Sequence, residues 1–270
     1  MKVFPCAKIN LGLNVVERRS DGYHNLQTVF YPINIHDELE VETAACTTLT
    51  VNGGDIQCEP QKNLVMRAYN LLAENYTLPP VNIRLNKLLP SQAGMGGGSA
   101  DAAYMIQLLN EQYELGLSVL QMQKFAAKIG ADCAFFIESK PAYAEGIGDV
   151  LTPCDIPQMK GKYLLLVKPD VAVSTKEAYA GVCVHRPIVN CKQIVSEPIE
   201  TWRDRLVNDF EKSVFSKLPV LAEIKQTLYD RGALYASMTG SGSTIYGIFD
   251  HRPAELKQMF SNYYVGIVES

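Results

Sequence analysis

Four glycines fall within five residues at Gly94-Met95-Gly96-Gly97-Gly98, and the chain runs straight on into Ser99-Ala100-Asp101-Ala102-Ala103. A glycine run lets the backbone approach a ligand closely and take conformations that a Cβ forbids. The first turn of a helix leaves unpaired N–H groups that carry a positive partial charge. Together these features make a cradle for an anion, most often a phosphate. The spacing predicts Ser99 as the helix cap, with its hydroxyl beside the anion. The plain alternative is a flexible linker, which has no reason to lead into a strong helix former such as Ala102-Ala103-Tyr104-Met105-Ile106. The loop is neither of the two commonest nucleotide loops. A P-loop ends in Gly-Lys-Ser/Thr, whereas Gly98 is followed directly by Ser99. The dinucleotide fingerprint needs a different glycine spacing and an acidic residue about twenty positions on. With no lysine in the loop, the charge of a bound phosphate must be met from elsewhere in the chain.

Two other residues are of types that do chemistry. Lys8 sits in the apolar stretch Ala7-Lys8-Ile9, where it reads either as a solvent-facing edge lysine or as a functional amine. Asp132 follows Gly130 and precedes Cys133-Ala134-Phe135-Phe136-Ile137, so it is either a helix-flanking cap or a functional carboxylate.

The elements that must position these residues follow from periodicity. Ala7 to Val16 and Asn25 to Ile33 read as strands around the turn Arg18-Arg19-Ser20-Asp21-Gly22. Further strands are predicted at Asp37 to Glu42, Thr47 to Val51 and Val81 to Leu85, the last leading into the glycine loop. Asn63 to Leu72 has helical spacing, and the helix after the loop should reach about Tyr113. Ser118-Val119-Leu120-Gln121 is a capping box for a helix ending at Gly130. Ala144 to Asp149 reads as a turn, and Pro153, Pro157 and Gly161 mark a candidate domain boundary. Beyond it come a strand at Tyr163 to Val167, helical regions from Gln193 to Leu218 and from Val220 to Arg231, and strands at Ala233 to Met238 and Thr244 to Phe249. A helix at Ala254 to Tyr263 and an end strand at Val265 to Val268 complete the order of a split βαβ, ferredoxin-like domain. The fold class is thus α+β, with domains at residues 1–155 and 156–270.

Composition excludes several classes of function. The 270 residues are 47% hydrophobic and 20% charged, enough for a sizeable core. A net charge of −4 offers no basic field to nucleic acid or to an anionic membrane. Seven cysteines without a Cys-x-x-Cys pair read as reduced thiols of a cytoplasmic protein, and four scattered histidines form no metal motif. The start Met1-Lys2-Val3-Phe4-Pro5 has no signal-peptide core, and no apolar run approaches membrane-spanning length.

The run from Pro90 to Ala103 resembles the phosphate loop of the GHMP kinases. Ala7-Lys8-Ile9-Asn10-Leu11, Asp21-Gly22-Tyr23-His24-Asn25-Leu26-Gln27-Thr28 and Gly130-Ala131-Asp132-Cys133-Ala134-Phe135-Phe136 narrow the likeness. It falls on the family that phosphorylates the 2-hydroxyl of 4-diphosphocytidyl-2-C-methyl-D-erythritol in non-mevalonate isoprenoid synthesis. The resemblance runs in order from Lys8 to Gly242. It implies an N-terminal domain like ribosomal protein S5, a site between the domains, and Lys8 paired with Asp132 as the general base. It implies ATP held by the backbone of Pro90, Ser91, Gln92, Ala93, Gly94, Met95, Gly96, Gly97, Gly98, Ser99 and Ala100, with Asn63 at the adenine. Met95 and Ala100 depart from the usual leucine and serine. Mg²⁺ is expected mainly through the phosphates, with no protein metal site. On the substrate, a small molecule carrying cytidine diphosphate, His24 would read the cytosine edge beside Tyr23, and Tyr179 would stack on the ring. Asn10 would touch the methylerythritol end, Thr175 the diphosphate, and Gly240-Ser241 would face the phosphates. Lys176 is a further local cation for the diphosphate on the residues alone. Asn208-Asp209-Phe210-Glu211 also matches and reads as structural. Other GHMP kinase substrates carry no cytosine for Tyr23, His24 and Tyr179 to read. An inactive nucleotide-binding module would have no use for both Lys8 and Asp132.

Overall fold

The computed structural model describes residues 1–54 and 58–270. In chain order the elements are β1 (Lys2–Val3), β2 (Cys6–Arg18), β3 (His24–His36), β4 (Glu38–Thr43), β5 (Thr48–Gly53), α1 (Leu64–Ala73), β6 (Val81–Lys87), α2 (Gly97–Gln112), α3 (Val119–Ala127), β7 (Ala142–Glu145) and β8 (Val150–Pro153). They continue with β9 (Tyr163–Lys168), α4 (Thr175–Ala180), α5 (Cys191–Ile194), α6 (Glu211–Lys217), α7 (Pro219–Asp230), β10 (Tyr235–Met238), β11 (Ile245–Phe249), α8 (Leu256–Met259) and β12 (Tyr264–Glu269). Two compact units interleave along this order. One holds residues 1–7, 35–91 and 96–140, the other residues 8–34, 92–95 and 141–270.

The first unit is one sheet, ordered β1-β4-β6-β5, with its helices. Val81, Ile83 and Leu85 of β6 are buried in alternation, as a sheet with one packed face requires. Asn63 accepts the backbone N–H of Val65 at 2.9 Å and so caps α1. Both bonds of the predicted capping box are present at Ser118 and Gln121. A 3-10 helix, Ala131–Ile137, packs on α2 and α3 and buries Cys133 to Ile137. The expectation that Ser99 caps α2 is corrected. Gly96, in the left-handed region at φ 74°, is the cap, and the helix opens on Gly97 and Gly98. A residue without a Cβ makes that turn without strain, which leaves Ser99 inside the first turn.

The second unit has two four-stranded sheets, β2-β3-β7-β8 and β10-β11-β9-β12. In the latter all neighbours are antiparallel, with Val167 opposite both Ile245 and Val265. Numbered within the sheet, the order is 2-3-1-4, that of the predicted split βαβ. Its central strand carries Leu164 to Val167, all fully buried. Leu13 and Val15 of β2 share a core with Leu165, Val167, Leu221 and Met238. Two expectations are corrected. The helix from Gln193 to Leu218 is broken into α5, a 3-10 turn at Ile199–Thr201, and α6. Pro198 cannot continue a helix, and Asn208 instead bridges to Leu13. The helix at Ala254 to Tyr263 shrinks to α8, because Ser261 and Tyr263 bond three residues back, to Gln258 and Phe260. The turn read at Ala144 to Asp149 is present from Gly146 on, as the tip of a hairpin between β7 and β8.

Candidate active site

The front of the glycine loop is tied down carbonyl by carbonyl within the second unit. The Ala93 carbonyl accepts from Thr244 N–H at 3.3 Å, and the Met95 carbonyl accepts from Lys8 N–H at 3.0 Å. Between them, the Gly94 carbonyl accepts from the Thr239 hydroxyl at 3.2 Å. Gly94 has φ 74°, and a Cβ there would overlap the Thr239 carbonyl. The side chains of Ala93 and Met95 are buried, so these two residues offer a ligand only their backbone. Gln92 itself stands at φ 50°. In the first unit, Gly96, Gly97 and Gly98 then present the N-terminus of α2, a helix of 16 residues. Pro90 and Ser91 lead in from β6, and Ala100 is fully buried.

Lys8 is 3% exposed, which removes the reading of a solvent-facing edge lysine. Its Nζ donates to Asn10 Oδ1 at 2.6 Å and lies 4.9 Å from the centre of the Phe30 ring. Asn10 is buried as well. Its Nδ2 donates to Thr28 Oγ1 at 2.9 Å, its backbone N–H to Thr239 Oγ1 at 3.1 Å, and its carbonyl accepts from Tyr246 at 2.7 Å. Asn10 is therefore anchored on every side, and one of its anchors is the lysine.

Asp132 lies in the first unit, in the first turn of the 3-10 helix after Gly130. Beside it in sequence, Cys133 is buried; burial pushes its thiol up to about 11, against a smaller opposing pull from the nearby Ser99 hydroxyl. The start of α2 and the start of the 3-10 helix thus meet at Ser99 and Cys133.

Beneath Gly97 is a cluster that the sequence reading missed. A Cβ on Gly97 would lie 3.4 Å from Lys87 Nζ and 3.5 Å from Asp37 Oδ2. Lys87 Nζ is held between Asp37 and Asp101, at 2.6 Å from Asp101 Oδ2. Asp37 is fully buried and also accepts the N–H groups of Leu88 and Leu89, at 2.6 and 2.8 Å. Burial, against the opposing pull of Lys87, pushes the Asp101 carboxyl up to about 7. The two carboxylates outweigh the burial that would lower the Lys87 ammonium, and raise it. The one hint in the sequence was an acidic residue, Asp101, among the alanines of an otherwise apolar helix face.

In the second unit the aromatic residues form a stack. His24 lies 4.9 Å from Tyr179 at an interplanar angle of 22°, and Tyr179 meets Phe210 edge-on at 4.8 Å. Burial, with a smaller contribution from Arg18, lowers the His24 pKa and favours the neutral ring. Tyr23 is 62% exposed beside it in sequence. Thr175, the first residue of α4, has its hydroxyl 3.4 Å from that of Ser241. Asn208, read as structural, donates to the carbonyls of Met238 at 2.7 Å and Gly240 at 2.9 Å, and so fixes the loop Gly240-Ser241-Gly242. That loop joins β10 to β11, and Gly240 packs against Gly94.

Comparison with known proteins defines the class first. The model of the GHMP kinases N terminal domain matches residues 63–140, and that of the GHMP kinases C terminal domain matches residues 192–266. These are the two halves of one kinase fold. A protein of Bacteroides fragilis named 4-diphosphocytidyl-2-C-methyl-D-erythritol kinase is 51% identical, over 92% of this chain and 92% of its own. One of the same name from Parabacteroides distasonis is 48% identical, over 96% of this chain and 94% of its own. A crystal structure of 4-(cytidine 5'-diphospho)-2C-methyl-D-erythritol kinase matches with a TM-score of 0.80 at 29% identity and covers all of both chains. The chain belongs to the 4-diphosphocytidyl-2-C-methyl-D-erythritol kinase family. GHMP kinases use ATP as phosphate donor. Among the described residues no helix is long and apolar enough to cross a membrane.

Proposed function

We propose that the chain transfers a phosphoryl group from ATP to the 2-hydroxyl of 4-diphosphocytidyl-2-C-methyl-D-erythritol, giving the 2-phosphate and ADP in the cytoplasm. The observation that carries this reading is the bond from Lys8 N–H to the Met95 carbonyl. A buried amine in an apolar strand is thereby stitched to the loop that would grip the nucleotide. The relatives' names supply the acceptor alcohol.

The loop fits a polyphosphate. Its carbonyls at 93, 94 and 95 are engaged by protein donors, and Gly96 to Gly98 leave the start of α2 free of side chains. Phosphoryl transfer asks the protein mainly for positioning and charge neutralisation. In our reading Lys8 and Asp132 are the catalytic residues, with the carboxylate as the general base that takes the proton of the attacking hydroxyl. Mg²⁺ would neutralise charge on the phosphates that hold it. Ser99, in the first turn of α2, would be the residue whose hydroxyl could help hold the phosphates or the metal. His24 and Tyr179, with Tyr23, would take the cytosine, while Thr175, Ser241 and Lys176 would take the diphosphate. Asn63 and the segment Pro90 to Ala100 would line the nucleotide. Residues 1–155 and 156–270 would be the two domains of the kinase in chain order.

The test is ADP release with ATP and each of four alcohols: the cytidine-diphosphate alcohol, mevalonate, homoserine and a hexose. Release with the first alone supports the reading. Release with another alcohol, or ATP binding without release, overturns it.

A further inference from the structure

We propose that Thr239 is a positioning residue that links the nucleotide loop to the amine of Lys8. The proposal rests on the kinase reading above and adds a residue to which that reading gave no role. Thr239 is fully buried between β10 and the loop Gly240-Ser241-Gly242. Its hydroxyl accepts the Asn10 backbone N–H at 3.1 Å. It has one hydrogen to give, and two acceptors stand at the same distance: Asn10 Oδ1 at 3.2 Å and the Gly94 carbonyl at 3.2 Å.

Those acceptors belong to the two halves of the chemistry. Gly94 opens the glycine loop. Asn10 Oδ1 is the atom that receives Lys8 Nζ at 2.6 Å. When the hydroxyl turns to Gly94, it holds the loop carbonyl inward and leaves Asn10 Oδ1 to the lysine. When it turns to Asn10, it shares that oxygen with the lysine and releases the loop carbonyl. A network in which bonds share atoms responds as a unit. A ligand that shifts the Gly94 peptide would therefore be felt at the amine two bonds away. The neighbouring ties, Thr244 to Ala93 and Lys8 to Met95, are backbone bonds and have no such choice.

The experiment compares the whole chain with Thr239→Val, which keeps shape and loses the hydroxyl, and Thr239→Ser, which keeps the hydroxyl. In Thr239→Val, kcat should fall roughly 10²-fold, as expected for a misplaced catalytic group. KM for the alcohol should stay within twofold. Thr239→Ser should recover kcat to within threefold of the parent. A Val variant with kcat within threefold of the parent, or a Ser variant as impaired as Val, overturns the proposal. A second readout needs no turnover: the ¹⁵N signal of the Lys8 amine with and without ADP. It should move on ADP binding in the parent and in Thr239→Ser, and stay fixed in Thr239→Val. An equal ADP response in all three overturns the link. Should the Val variant fail to fold, Thr239→Ala, which also loses the hydroxyl, is read by the same criteria. If the parent turns over none of the alcohols, the kinase reading fails, and the amine signal still decides the role of Thr239.

Discussion

Asp101→Asn should flatten the pH dependence of stability, and the size of the effect follows from the burial of one carboxyl. Asp101 is 2% exposed, and its Oδ1 has no hydrogen-bond partner among the described residues. Lys87 Nζ faces its other oxygen, and Lys87 is shared with the buried Asp37. Burial raises Asp101 from the usual 3.8 to about 7. Between those values the folded chain holds a proton that the unfolded chain has released. The folded state thus binds more protons, and stability falls as pH rises through the window. A shift of about three units corresponds to about 4 kcal/mol over the whole window, of which about 3 kcal/mol lies between pH 5 and pH 8. Urea unfolding of parent and variant at both pH values reads this site, together with its partners Lys87 and Asp37, as a double difference, because the titrating groups outside this cluster are common to the two proteins. The stability gap between pH 5 and pH 8 should differ between them by about 3 kcal/mol, with the parent losing more at pH 8. Parallel pH profiles would refute the reasoning and mean that Asp101 is already ionised in the folded state at pH 5.

Three further perturbations test the site. Asp132→Asn should lower turnover roughly 10²- to 10⁴-fold, the usual worth of general-base catalysis, while calorimetry finds ADP affinity within threefold of the parent. Gly94→Ala meets both a left-handed φ of 74° and the Thr239 carbonyl, so it should lose about 1–3 kcal/mol in denaturant unfolding and bind ADP at least tenfold more weakly. Tyr179→Ala removes the ring stacked on His24 at 4.9 Å. Base–aromatic stacking is worth about 1–3 kcal/mol, so KM for the cytidine substrate should rise roughly tenfold or more while KM for ATP holds.

What was legible in the sequence was local. The capping box at Ser118, the glycine loop leading into α2, and the strand–helix order of the second half all depend on residues a few positions apart. The resemblance of Asp21 to Thr28 and of Gly130 to Phe136 pointed to the family. Ser99 was misplaced by three positions because side-chain preference alone does not see that Gly96 takes the left-handed turn. Lys87 and Asp37 were invisible because sheet register joins them. Glu38 pairs with Asn86, which brings the residues just outside that pair, 50 apart in sequence, into contact. The same holds for Thr239 and Asn10, 229 apart. A division at residue 155 follows chain order. Compactness groups residues 8–34 with the second half, because Thr28, Val29 and Phe30 pair with Ala144, Tyr143 and Ala142.

Phosphorus NMR of the reaction mixture tests the proposed reaction most directly. With ATP, Mg²⁺ and 4-diphosphocytidyl-2-C-methyl-D-erythritol, one new phosphate monoester on the 2-oxygen should grow in step with ADP, while the cytidine diphosphate bridge stays intact. A mixture in which ATP is spent without that monoester, or in which the monoester forms elsewhere on the molecule, would contradict the assignment.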